Sequence, residues 1–147
     1  MARTINIKLN SSSINKAISE LRDYAKDLER KEKLFLERMI AEGVRIGKEE
    51  APVDFIAGGD LRESIHGKIE GNVGYVICDA KKPDGKPYAA YIEFGFGKGK
   101  EPWVYFDQKR EEFKWSHGMP PNPFMARTAQ RLNDMKMQIA KEIFGGK

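Results

Sequence analysis

Two histidines, His66 and His117, and one cysteine, Cys78, are the scarcest reactive side chains in this 147-residue sequence, and they set the limits on its chemistry. A metal centre needs several His, Cys or carboxylate ligands at matched spacing, and neither histidine has such neighbours. His66 falls on the polar side of an alternating segment and His117 precedes Gly118 in a loop, so both read as solvated surface residues. Cys78 closes the apolar run from Val73, apart from any basic residue or helix start that would activate a nucleophile. The run Gly95-Phe96-Gly97-Lys98-Gly99-Lys100 imitates a phosphate cradle. A phosphate loop, however, continues from Gly-Lys into Ser or Thr and a helix, whereas Lys100 is followed by Glu101-Pro102. The segment therefore reads as a flexible, solvated loop that can order at a subunit contact. Glu93 stands between Ile92 and Phe94, so its carboxylate must face solvent or find a partner such as Arg62. A structural hydrogen bond or ion pair is the preferred reading. No catalytic, metal or cofactor site is expected; a hydrolase or toxin would require His66, His117 and Glu93 to converge.

The chain that must position these residues has the bulk of one domain, 1–147. Hydrophobic residues make up 40% and charged residues 33%, with eight Phe, five Tyr and two Trp, which excludes a disordered chain. No apolar run is long enough to span a bilayer and residues 1–9 do not resemble a signal peptide, so no membrane partner and cytoplasmic synthesis are expected. The net charge of +4 raises the question of nucleic acid. Basic and acidic residues number 11 and 9 over residues 1–50, 10 and 11 over 51–120, and 5 and 2 over 121–147, so no segment is a basic arm.

Residues 1–12 read as a flexible entrance, with Ser11-Ser12-Ser13 offering N-caps to a long helix. Ile14, Ile18, Leu21, Ala25, Leu28, Phe35, Met39 and Ile46 recur at alternating three- and four-residue spacing, interrupted by Glu32. That stripe reads first as a core face and second as a coiled-coil or subunit seam. Ala51-Pro52 ends the helix. Residues 54–60, 79–87 and 95–101 read as loops, and Asp60 with Glu63 as the caps of a short helical turn. Ile65, Gly67 and Ile69 alternate with polar residues as a half-buried strand does; Gly71-Asn72 turns the chain into a returning strand, Val73–Cys78. Tyr88–Phe94 is short enough for a strand or two helical turns, and a short helix is assigned. Trp103–Phe106 and Phe113–Trp115 are rich in aromatics and read as a second hairpin. Asn122-Pro123 offers a cap and a first-turn proline to a last helix with Met125, Leu132, Met135, Ile139 and Ile143 on one face and Gly145-Gly146 as its stop. The expected class is α+β: a long N-terminal helix and a C-terminal helix packed on a small antiparallel β-sheet.

Three segments in order resemble a bacteriophage family named after gene product 10 of phage HK97. Ala51-Pro52-Val53-Asp54, then Gly59-Asp60-Leu61-Arg62-Glu63-Ser64-Ile65, is similar to the family's A-P-V-D-T-G-x-L-R-x-S-I run, with a longer link between Asp54 and Leu61. Tyr88-Ala89-Ala90-Tyr91-Ile92-Glu93-Phe94-Gly95 is similar to Y-A-x-Y-V-E-F-G-T, with Phe96 where the family has Thr. Pro102-Trp103-Val104-Tyr105 and, further on, Gly118-Met119-Pro120-Pro121-Asn122-Pro123-Phe124-Met125 resemble its P-W-V-Y and G-x-x-P-x-P-F endings.

The resemblance implies a virion structural protein: a neck, head-tail joining or tail-completion component forming a homo-oligomeric ring between a connector and a tail-terminator or tail-tube protein. It implies assembly in the host cytoplasm and no enzymatic activity. Motif residues Leu61, Arg62, Tyr88, Glu93, Gly95, Phe96, Pro121, Pro123 and Phe124 become candidates for subunit contact, with Gly95–Lys100 and Met119–Phe124 favoured. Lys81, Lys82, Lys86, Lys98 and Lys100 are candidates for non-specific contact with DNA passing through a lumen. The alternative is a small nucleic-acid-binding module without sequence preference, resting on the positive charge and on Trp103, Tyr105 and Trp115.

Overall fold

A computed structural model describes residues 10–53, 60–97, 101–107 and 110–145. The long apolar stripe lies on α1, Ser11–Glu50, whose 40 residues extend for about 60 Å at 1.5 Å per residue. Its cap is not one of the serines: Asn10 Oδ1 accepts from Ser13 N at 2.8 Å, and Ser11–Ser13 form the first turn. Asn caps at least as well as Ser, and its position one residue earlier draws Ser11 and Ser12 into the helix instead of a flexible lead. At the other end Ala51 N donates to Gly47 O at 2.9 Å, and Pro52 then stops the helix.

Next come α2 (Asp60–Glu63), β1 (Ile65–Glu70), β2 (Val73–Cys78), α3 (Ala89–Phe94), β3 (Trp103–Asp107), β4 (Glu112–Ser116) and α4 (Phe124–Phe144). β1 and β2 pair antiparallel from Ile65↔Cys78 to Glu70↔Val73, around a turn in which Gly71 adopts φ +58°. β3 and β4 pair from Trp103↔Ser116 to Asp107↔Glu112. The class is α+β, with its strands in two separate two-stranded sheets.

α4 runs antiparallel along the C-terminal half of α1. Arg127 Nε and Arg131 Nη1 each donate to the Glu50 carboxylate at 2.7 Å at one end, and the Phe35 and Phe144 rings lie 5.8 Å apart at the other. Small residues allow α1 to meet two layers at once. A Cβ on Gly43 would fall 2.6 Å from Val76 Cγ2 and 3.1 Å from Leu132 Cδ2. On the facing strand a Cβ on Gly74 would fall 2.5 Å from Ile40 Cδ1. The buried cluster joins Ala51, Leu61, Ile65, Ala80, Tyr88 and Phe124, with Val44, Val76 and Ile92 packed against it.

The 21 residues of α4 span about 30 Å, half the length of α1. Its last residues reach Phe35, so the N-terminal part of α1 lies beyond its cover. The stripe is therefore a core face only from Phe35 onward; Ile14, Ile18, Leu21 and Leu28 are exposed.

Candidate functional site

The three motif segments meet at the start of α4. Leu61 and Phe124 are completely buried and Tyr88 nearly so, in the same cluster as Ala51 and Ile65. Glu93, only 9% exposed, supplies the polar connection. Its Oε2 accepts from Met125 N at 2.9 Å and its Oε1 from Ala126 N at 3.0 Å. Those are first-turn amides with no partner inside the helix, and Pro123, at the N-cap position, offers no side-chain acceptor. A carboxylate from α3 thus caps α4 across more than thirty residues of sequence, where it also meets the positive end of the helix dipole.

Two expectations change here. Arg62 is not the partner of Glu93: its Nη2 donates to Ala51 O at 3.1 Å and so fastens α2 to the end of α1, while its Nε has no hydrogen-bond partner among the described residues. Asn122 is not the cap of α4 either. Its Oδ1 accepts from Arg127 Nη2 at 2.9 Å, and its N donates to Ile92 O at 2.8 Å. The Glu93 carboxylate, held in place by α3, already occupies the space over the free amides.

Gly95 leaves α3 with φ +70° and ψ 172°, a conformation essentially confined to glycine. A Cβ there would fall 2.6 Å from Met119 O and 2.7 Å from Pro121 N. The close approach lets Phe96 and Met119 exchange backbone hydrogen bonds, Phe96 N to Met119 O at 3.0 Å and Met119 N to Phe96 O at 2.8 Å. Trp103 packs on this bridge, its ring 6.1 Å from that of Phe96. The described part of Gly95–Lys100 and the Met119–Phe124 segment are thus one joined surface. Phe96, Pro121 and Pro123 lie at its exterior; Leu61, Tyr88, Glu93 and Phe124 are interior and build the junction instead of facing a neighbour.

Comparison with family models, with curated proteins and with solved structures gave no match.

The rest of the chemistry stays dispersed. His66 Nδ1 lies 2.9 Å from Ser64 O on the exposed side of β1, and His117 is exposed in the loop after β4. Cys78 Sγ lies 3.4 Å from Ser64 Oγ, half-buried. Among the described residues no three His, Cys, Asp or Glu side chains gather as metal ligands, and no helix is long and apolar enough to cross a membrane. Lys81, Lys82 and Lys86 are exposed on the loop after β2, where Lys86 faces Asp84 at 3.5 Å; Lys98 and Lys100 lie outside the described residues. The strongest electrostatic feature is the clamp between helices. Hydrogen bonds from Arg127 and then Arg131 hold the Glu50 carboxyl below its ordinary range, and Arg131 does the same for Glu49.

Sequence reasoning passed over the β3–β4 hairpin as an exposed feature. Cross-strand partners share a face, so Val104 with Trp115 and Phe106 with Phe113 make one wholly apolar side, and Tyr105, Asp107, Glu112 and Lys114 lie on the other. Phe113 is 75% and Trp115 67% exposed, and the hairpin makes no substantial contact with α1 or α4. The alternation of β4, Glu112-Phe113-Lys114-Trp115, carried this signal.

Proposed function

We propose that the protein is a structural subunit of a tailed-phage neck, a tail-completion or head-tail joining component that works by assembling with copies of itself. The observation that carries this reading is the use to which the motif residues are put. The segments that resemble the phage family converge on one junction, and every buried polar group in it serves to hold backbone: Glu93 on the amides of α4, Thr128 Oγ1 on Phe124 O at 2.7 Å. What such a junction provides is a rigid mount for the hairpin that follows it. An isolated two-stranded hairpin is marginal in water, and this one projects with an apolar face. That suits a subunit completed by its neighbours better than a self-sufficient catalyst or carrier.

The test is genetic and visual. Disrupting this gene in its own genome and imaging induced lysates should give filled heads and separate tails that fail to join, restored by the chain supplied in trans. Normal virions without the chain would overturn the reading.

A further inference from the structure

Two apolar surfaces on this chain have no cover, and they differ in kind. One is the flat hairpin face of Val104, Phe106, Phe113 and Trp115. The other is the projecting part of α1, where Ile14, Ile18, Leu21, Ala25 and Leu28 keep heptad spacing beyond the reach of α4. From the areas that large side chains present, each exposes on the order of 400 Å² of apolar surface. A monomer's largest such patch is ~300–600 Å², and here there are two on one small chain.

They cannot cover each other within one molecule. The hairpin is tied through Phe96 and Met119 to the N-terminal end of α4, whereas the uncovered stripe begins at its C-terminal end, about 30 Å away. We propose that the β3–β4 face of one copy packs on the projecting α1 stripe of a second copy, with Trp115 seated over Ala25 between Leu21 and Leu28. This rests on the self-assembly reading and names its contact. Leu21 and Leu28 stand about 10 Å apart along the helix with the small Ala25 between them, a depression of the width an indole fills. Covering both surfaces, with a polar rim, brings the contact to the roughly 1,200–2,000 Å² of a specific interface. Because each copy offers one surface of each kind at opposite ends, the contact is head to tail. Such contacts propagate until they close as a ring or extend as a filament.

The test uses the full chain in a Cys78→Ser background, with Ala25→Cys on one population and Val104→Cys, directly across from Trp115, on the other. A short bis-maleimide should join the mixed populations and neither population to itself. Separately, sedimentation of Trp115→Glu should show self-association weakened at least tenfold, with unchanged circular dichroism. Cross-linking of Ala25→Cys to itself would mean that the stripes pair with each other, and of Val104→Cys to itself that the hairpins do; either overturns the inference. An oligomer that survives Trp115→Glu overturns it while leaving self-assembly standing. A chain that remains monomeric up to millimolar concentration overturns both.

Discussion

Replacing Glu93 tests whether the motif junction is structural, because the residue acts through two measurable hydrogen bonds. Glu93→Ala removes the acceptor for Met125 N at 2.9 Å and for Ala126 N at 3.0 Å and leaves both amides in a largely buried site. A hydrogen bond to a charged group contributes about 1.5–3 kcal/mol, and loss of a helix cap typically costs ~1 kcal/mol. The two bonds share one carboxylate whose own desolvation opposes them, so the sum falls short of additive. A net loss of about 2–4 kcal/mol is expected. At ~3 °C per kcal/mol for a domain of this size, the Tm should fall by roughly 6–12 °C. Glu93→Gln keeps one carbonyl oxygen but turns an NH2 group toward an amide donor, so it should recover less than half of the loss. Urea denaturation gives the free energies, and hydrogen exchange gives the location: Met125 and Ala126 amides should lose protection ahead of the middle of α4. If both variants stay within about 0.5 kcal/mol of the parent, or if protection at those amides is unchanged, the capping role is wrong.

Gly95→Ala should be destabilised by at least about 2 kcal/mol in the same assay, since glycine-only backbone strain and the overlap with Met119 O act together. Phe124→Ala should cost about 3–5 kcal/mol by opening a cavity where the motif segments meet. The α1–α4 clamp should make stability depend on pH in a defined direction. With the folded Glu50 carboxyl depressed below its model value of 4.5, its contribution is present above that pH and is lost as pH falls through the folded value. The difference between Glu50→Gln and the parent in urea midpoint should thus be clear at pH 7 and shrink at pH 3; a constant difference would refute the assignment.

Most elements were legible because their signals are local. The period-two run from Ser64, the Gly71-Asn72 turn and the proline after Ala51 each dictate backbone geometry by themselves. The caps were not legible. At both helices a plausible Ser or Asn stood in the expected place, and the choice fell to a residue whose position depends on tertiary structure or on one step of register: Asn10 for α1, Glu93 for α4. The partner of Glu93 lies more than thirty residues away, and no spacing rule distinguishes Arg62 from two backbone amides at that range. The exposed stripe of α1 escaped for a related reason. Periodicity reports which residues share a face, but only the length of α4 decides how much of that face is covered.

The motif residues and the open surfaces divide the molecule in a way that bears on how it assembles. Leu61, Tyr88, Glu93 and Phe124 spend their chemistry inward, and the Gly95–Phe96 turn binds the Met119 strand so closely that no side chain fits between. Rigidity at that point matters because the hairpin is a lever: a small rotation at the Phe96–Met119 bridge moves Trp115 by the length of the strands beyond it. A ring closes only if every copy repeats the same rotation, so error in the mount accumulates around the circle. On this view the junction sets the angle between subunits and the apolar faces supply the adhesion. A substitution such as Gly95→Ala should then change the size or regularity of assemblies even where enough folded protein remains to form them, while Trp115→Glu should abolish them without altering the fold.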